Sequence, residues 1–112
     1  MGRIQSYNNA TVITGGTGYA LQRVDDSTAE GFASLPSETT MVTVRVVADT
    51  AHDTSRPVAW YRLDGETVAI DDGMPLWDGD VLEVFAEEVT QASFIGIDGN
   101  YTNLYCEYAV VS

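Results

Sequence analysis

The chain has 112 residues, enough for one domain with a hydrophobic core and no need of covalent staples. Its 17 Asp and Glu face five Arg, no Lys and one His, a formal net charge of −12, which argues against direct binding to nucleic acid or to an anionic membrane. The single cysteine rules out an internal disulfide, and with neither an apolar leader in Met1 to Ser6 nor a run of membrane-spanning length, a soluble cytosolic site of synthesis is expected.

Apolar stretches are short, rich in Val, Ile, Tyr and Phe, and separated by Gly, Asp, Asn and Ser, the composition of strands and turns. Residues 1–9 read as a polar arm in front of a single domain at 10–112. Ala10 to Thr14 is a short strand, Gly15 to Gly18 turns the chain, and Tyr19 to Val24 returns as a second strand. Residues 25–38 are polar and irregular, with Phe32 and Leu35 as anchors and Pro36 opposing a central strand. Thr40 to Val47 is the clearest strand, because Val42, Val44 and Val46 alternate with Thr43 and Arg45. A loop at 48–57 follows, then Val58 to Leu63, closed by the Asp64-Gly65 turn. Thr67 to Ile70 is a further strand; Met74 to Trp77 leads into the Asp78-Gly79 turn. Val81 to Ala86, Gln91 to Ile97 and the long Tyr101 to Val111 complete the set. Between Glu83 and Ala92 there is room for one helical turn at most. About eight strands with turns every 8–12 residues predict an all-β chain, an antiparallel β-sandwich or a jelly-roll-like barrel. The expected core is Val42, Val44, Val46, Trp60, Leu82, Val84, Phe94, Ile97, Leu104, Cys106 and Tyr108.

No residue pattern points to catalysis. The only histidine, His52, sits beside Asp53 in a polar loop, with no Ser in a Gly-x-Ser-x-Gly elbow and Cys106 inside a strand. One Cys and one His cannot make a structural zinc site. Asp71-Asp72-Gly73 and Asp78-Gly79-Asp80 with Glu83 resemble pieces of calcium loops, but the EF-hand spacing is absent and tight-turn chemistry accounts for the Asp-Gly pairs. Gly15 to Gly18 lacks the lysine of a phosphate loop. The expectation is therefore a non-enzymatic chain with no cofactor and no metal.

From Thr40 to Val110 the chain carries a Val-rich strand, then Val58-Ala59-Trp60-Tyr61-Arg62-Leu63-Asp64-Gly65, Gly73-Met74-Pro75-Leu76, Asp78-Gly79-Asp80-Val81-Leu82-Glu83, Phe94-Ile95-Gly96-Ile97 and a closing strand with Leu104 and Tyr108. In this pattern it resembles a group of small virion structural proteins of tailed bacteriophages. The resemblance implies a capsid decoration or cement protein in the virion. Its expected partners are the major capsid protein or another virion protein, and further copies of itself as a dimer or trimer. The alternative is a carbohydrate- or receptor-binding β-sandwich module of a phage tail or fibre. The candidate interface residues are Arg3, Ile4 and Tyr7 in the arm, and the aromatics Trp77 and Tyr101 near turns, where a ring can meet a partner.

Overall fold

The computed structural model describes residues 10–12, 19–32, 35–48, 55–97 and 101–111. The arm with Arg3, Ile4 and Tyr7, and the loop with His52, lie outside the described residues. The strands are β1 (Ala10–Val12), β2 (Tyr19–Val24), β3 (Met41–Ala48), β4 (Ala59–Arg62), β5 (Met74–Leu76), β6 (Val81–Phe85), β7 (Ser93–Gly96) and β8 (Thr102–Val111). Among the described residues a short helix, α1 (Glu88–Gln91), lies between β6 and β7. The strands form two antiparallel sheets, an all-β sandwich as the sequence predicts.

In the larger sheet β3 lies between β6 and β8, and the far edge of β8 is shared by two segments. Here β2 pairs with Thr102 to Glu107 and β1 with Ala109 to Val111. Both run antiparallel to β8, so they run in the same direction and are not a hairpin. This corrects the sequence reading of Gly15 to Gly18 as a reversal. The ten residues of β8 are long enough to hold two partners end to end on one edge. Register then fixes the inner face: Val42, Val44 and Val46 lie opposite Tyr108, Cys106 and Leu104, and Val42 and Val44 also face Val84 and Leu82. All are buried except Leu82, which is half-buried against the same cluster.

The smaller sheet has the order β5-β4-β7. Ala59 faces inward with Leu76, and the Tyr61 ring lies 6.3 Å from that of Phe94. Strand alternation therefore sends Trp60 to the other side, between Pro75 and Ile95. Trp60 is half-buried there and its indole Nε1 has no hydrogen-bond partner among the described residues. That corrects its placement in the core, whose Tyr61 does the work expected of Trp60. Ile97 is buried but outside the main cluster.

Thr67 to Ile70 does not form a strand; only an Ala69–Asp72 bridge appears there. Asp71 at φ 64° and Gly73 at φ 129° bend the chain at once, and Met74 to Leu76 takes the edge of β4 instead. Pro75 is tolerated because β5 is an edge strand.

Hydrogen bonds and ring contacts among the described residues hold the layers together. Thr102 Oγ1 donates to Val58 O at 2.6 Å, joining the start of β8 to the entry of β4. Gly96 N donates to Asp25 O at 2.7 Å, and Glu30 bridges Phe94, so the segment after β2 crosses onto the edge of β7. That approach needs glycine: a Cβ at Gly96 would lie 2.8 Å from Val24 O. Phe32 then covers Phe94 with ring centroids 5.1 Å apart, and Val89 of α1 is buried in the same core.

Candidate interaction surface

The outer face of the larger sheet follows from the same alternation that builds its inner face. Leu21 of β2 pairs with Tyr105 of β8, Tyr105 with Arg45 of β3, and Arg45 with Val81 of β6. These four side chains form one row across the sheet. Leu21 is 56% exposed, Tyr105 47% and Val81 52%. Arg45 is exposed and its side chain makes no hydrogen bond or ion pair among the described residues. Thr43 and Glu107 pair in the next row, and with the first four they line an open, shallow depression of about 450 Å³. Farther along, Met41 and Ala109 are buried on this side, so the exposed apolar groups concentrate in the Leu21–Val81 row.

Local sequence explains why Leu21 is outside. Gln22, its neighbour, turns inward and is buried, where its Nε2 donates to Gly31 O at 2.6 Å. That bond meets the requirement that a buried amide be paired, and it pins the β2 register. Ala20 and Val24 share the inner side with Gln22, which leaves Leu21 and Arg23 in water.

Of the candidates read from the sequence, Trp77 is 40% exposed and Tyr101 is 48% exposed. Both lie at one end of the larger sheet. Asp80 Oδ2 accepts from Trp77 N at 2.8 Å, and Asp78 Oδ1 accepts from Ala48 N at 2.9 Å, which fixes the Trp77 turn against the end of β3. Ala48 in turn pairs with Thr102, the residue after Tyr101. The Arg23 guanidinium lies 5.6 Å from the centre of the Tyr101 ring, a cation–π distance. Arg3, Ile4 and Tyr7 lie outside the described residues. Leu21, Arg45, Val81 and Tyr105 were missed in the sequence. The one available signal was Leu104-Tyr105-Cys106, apolar at consecutive positions and therefore on both faces of a strand.

The acidic turns have local roles. Asp64 binds Arg62 through Arg62 Nε at 3.1 Å and Nη2 at 2.6 Å, and accepts from Glu66 N at 3.1 Å. The Arg62 hydrogen bonds, with help from the Glu66 amide, hold the Asp64 carboxyl below its usual range. Arg62 also lies 3.7 Å from Asp72. Gly65 at φ 85° and Gly79 at φ 91° supply the left-handed backbone of the two Asp-Gly turns. Among the described residues, no group of three or more His, Cys, Asp or Glu is placed to hold a metal ion.

Cys106 is 2% exposed, and burial pushes its thiol up to about 12. Tyr108, beside it on the inner face, is pushed up to about 12 by burial first and by Cys106 second. Such groups are poor nucleophiles at neutral pH. Among the described residues, no helix is long and apolar enough to cross a membrane.

In comparisons with known proteins, no family model matches the chain, and no curated protein or solved structure matches it.

Proposed function

We propose that this chain is a non-enzymatic structural protein of a bacteriophage virion, a decoration or cement protein that binds and stabilises the head shell. The observation that carries the reading is the outer face of the larger sheet, where Leu21, Tyr105 and Val81 stand in water in one row. Leaving such groups unburied is unfavourable in a monomer, and a cluster of exposed apolar side chains rimmed by charged ones marks a contact with another protein. The resemblance of residues 40–110 to virion structural proteins supplies the setting. The charge of −12 keeps free copies soluble before assembly. Trp77 and Tyr101, exposed together at one end of the sheet, are the proposed anchors on the major capsid protein or another shell protein, with the arm at residues 1–9 as a second attachment.

Exposed aromatics beside a cation also favour a second reading, a carbohydrate- or receptor-binding module of a tail or fibre, since such rings stack on sugars. One experiment separates the two. Purified protein is mixed with heads that lack it, and bound copies are counted after sedimentation. Saturable binding to heads, weakened at least about tenfold in Trp77→Ala/Tyr101→Ala, is the expected result. No binding to heads, with retention on an immobilised glycan that the same variant loses, would replace the cement reading by the module.

A further inference from the structure

We infer that the outer face of the larger sheet is the contact between two copies of this chain, related by a two-fold axis parallel to the strands and centred over the seam between β8 and β3. The inference deepens the virion reading, on which its setting rests, by naming the occupant of this face.

Charge singles out a second copy. The chain as a whole carries −12, so two copies repel each other over most approaches. The outer face is balanced: its described charged positions are Arg23 and Arg45 against Glu83 and Glu107, two of each sign. Here like chains meet with no local excess of like charge, and salt screens the remainder.

Register makes the face self-complementary. The strand order across it is β2, β8, β3, β6. An axis over the β8–β3 seam exchanges β2 with β6 and β8 with β3. Leu21 of each copy then meets Val81 of the other, apolar against apolar. Tyr105 meets Arg45, which has no partner within its own chain among the described residues and gains an aromatic face. Each contact occurs twice, as an isologous interface requires. An axis running along the row instead would set Arg45 against Arg45, which charge forbids. Sheets stacked face to face in this way pack with nearly aligned strands. The row is short compared with a standard interface of about 800 Å² per partner. The dimer is therefore a reversible one in free solution, and the local concentration on a particle favours it.

The pairing of unlike residues gives a direct test. Sedimentation velocity on the full chain, from micromolar to millimolar concentration, should show a monomer passing to a dimer. Leu21→Lys and Val81→Glu should each weaken it about tenfold or more. The double variant should recover most of the loss, because the new cation of one copy faces the new anion of the other. Within one copy those positions are three strand spacings apart, about 14 Å, too far to pair. Circular dichroism melts check folding, and Tyr105→Ser replaces any charge variant that does not fold. A chain that stays monomeric, a dimer indifferent to all these changes, or a double variant weaker than either single one overturns the inference. Should a monomeric chain lose head binding on Tyr105→Ser, the face belongs to a different virion protein: the two-fold contact is then wrong and the virion reading stands.

Discussion

The two faces of the larger sheet are made from the same strands, yet they have opposite relations to water. On β8 the inward residues Leu104, Cys106 and Tyr108 are at most 2% exposed, while Tyr105 between them is 47% exposed. On β3 the inward valines 42, 44 and 46 are fully buried, while Arg45 is exposed. The inner face is apolar apart from hydrogen-bonded Gln22 and Thr102, and it is closed by the smaller sheet. The outer face mixes Leu21, Tyr105 and Val81 with charged residues, and that row stands open to water. A β-strand assigns alternate residues to two surfaces, so one segment of sequence sets both the stability of the fold and the character of its outer surface.

The sharpest way to break this contrast is to shorten an inward side chain. Leu104 is fully buried beside Val46. Leu104→Ala removes transfer energy and leaves a cavity, and should cost about 2–5 kcal/mol. That is a large part of the total stability of a domain this size. Equilibrium unfolding in urea measures it. A loss below about 0.5 kcal/mol would mean that the inner face is not closely packed.

The inner face was the more legible of the two. Val42, Val44 and Val46 announce it by strict alternation, and the turn chemistry of Asp64-Gly65 and Asp78-Gly79 located the ends of their strands. The smaller sheet was harder to read. Ala59, Trp60 and Tyr61 are all plausible inside, and only pairing with β5 and β7 shows that Ala59 and Tyr61 share the core. The two-segment edge on β8 was hidden because local glycines signal an interruption without saying whether the chain reverses. The outer row was hidden for a related reason: Leu21, Arg45, Val81 and Tyr105 come from four distant segments, and non-local register alone assembles them. Trp77 and Tyr101 were legible singly, as aromatics at turns, but their common end of the sheet was not.

A second test uses pH to probe the inner face without changing its shape. Burial raises Cys106 from 9.0 to about 12 and Tyr108 from 10.0 to about 12. Both groups are neutral when protonated, and the native state holds their protons more tightly than the unfolded chain does. Their contribution is therefore fully present below 9.0 and is lost as pH rises toward about 12. The slope should reach about 1.4 kcal/mol per pH unit for each group. Urea unfolding between pH 8 and 11 should show stability falling above 9.0, and Cys106→Ala should flatten the first part of the fall. An alkaline limb unaltered by that substitution would show that the thiol does not experience the burial assigned to it. A native chain labelled by a thiol reagent as fast as the unfolded one would show the same.

The smallest expected effect is the one that separates the faces most cleanly. Tyr105 touches water on the outer side and pairs across the sheet with Leu21 and Arg45. Replacing it with Ser leaves the backbone ladder intact and creates no cavity in the core. What is lost is cross-strand contact with two exposed neighbours, worth about 0.2–1 kcal/mol for each such pair at most. The stability of Tyr105→Ser at low protein concentration should therefore lie within about 1 kcal/mol of the parent. Its midpoint should also stop depending on protein concentration, because a dimer that binds only folded chains stabilises them by mass action. Loss of several kcal/mol in dilute solution would place Tyr105 in the core and erase the distinction between the two faces. Unchanged dilute stability with loss of the concentration dependence would show that alternate residues of β8 have been given separate tasks, Leu104 and Cys106 to the fold and Tyr105 to association.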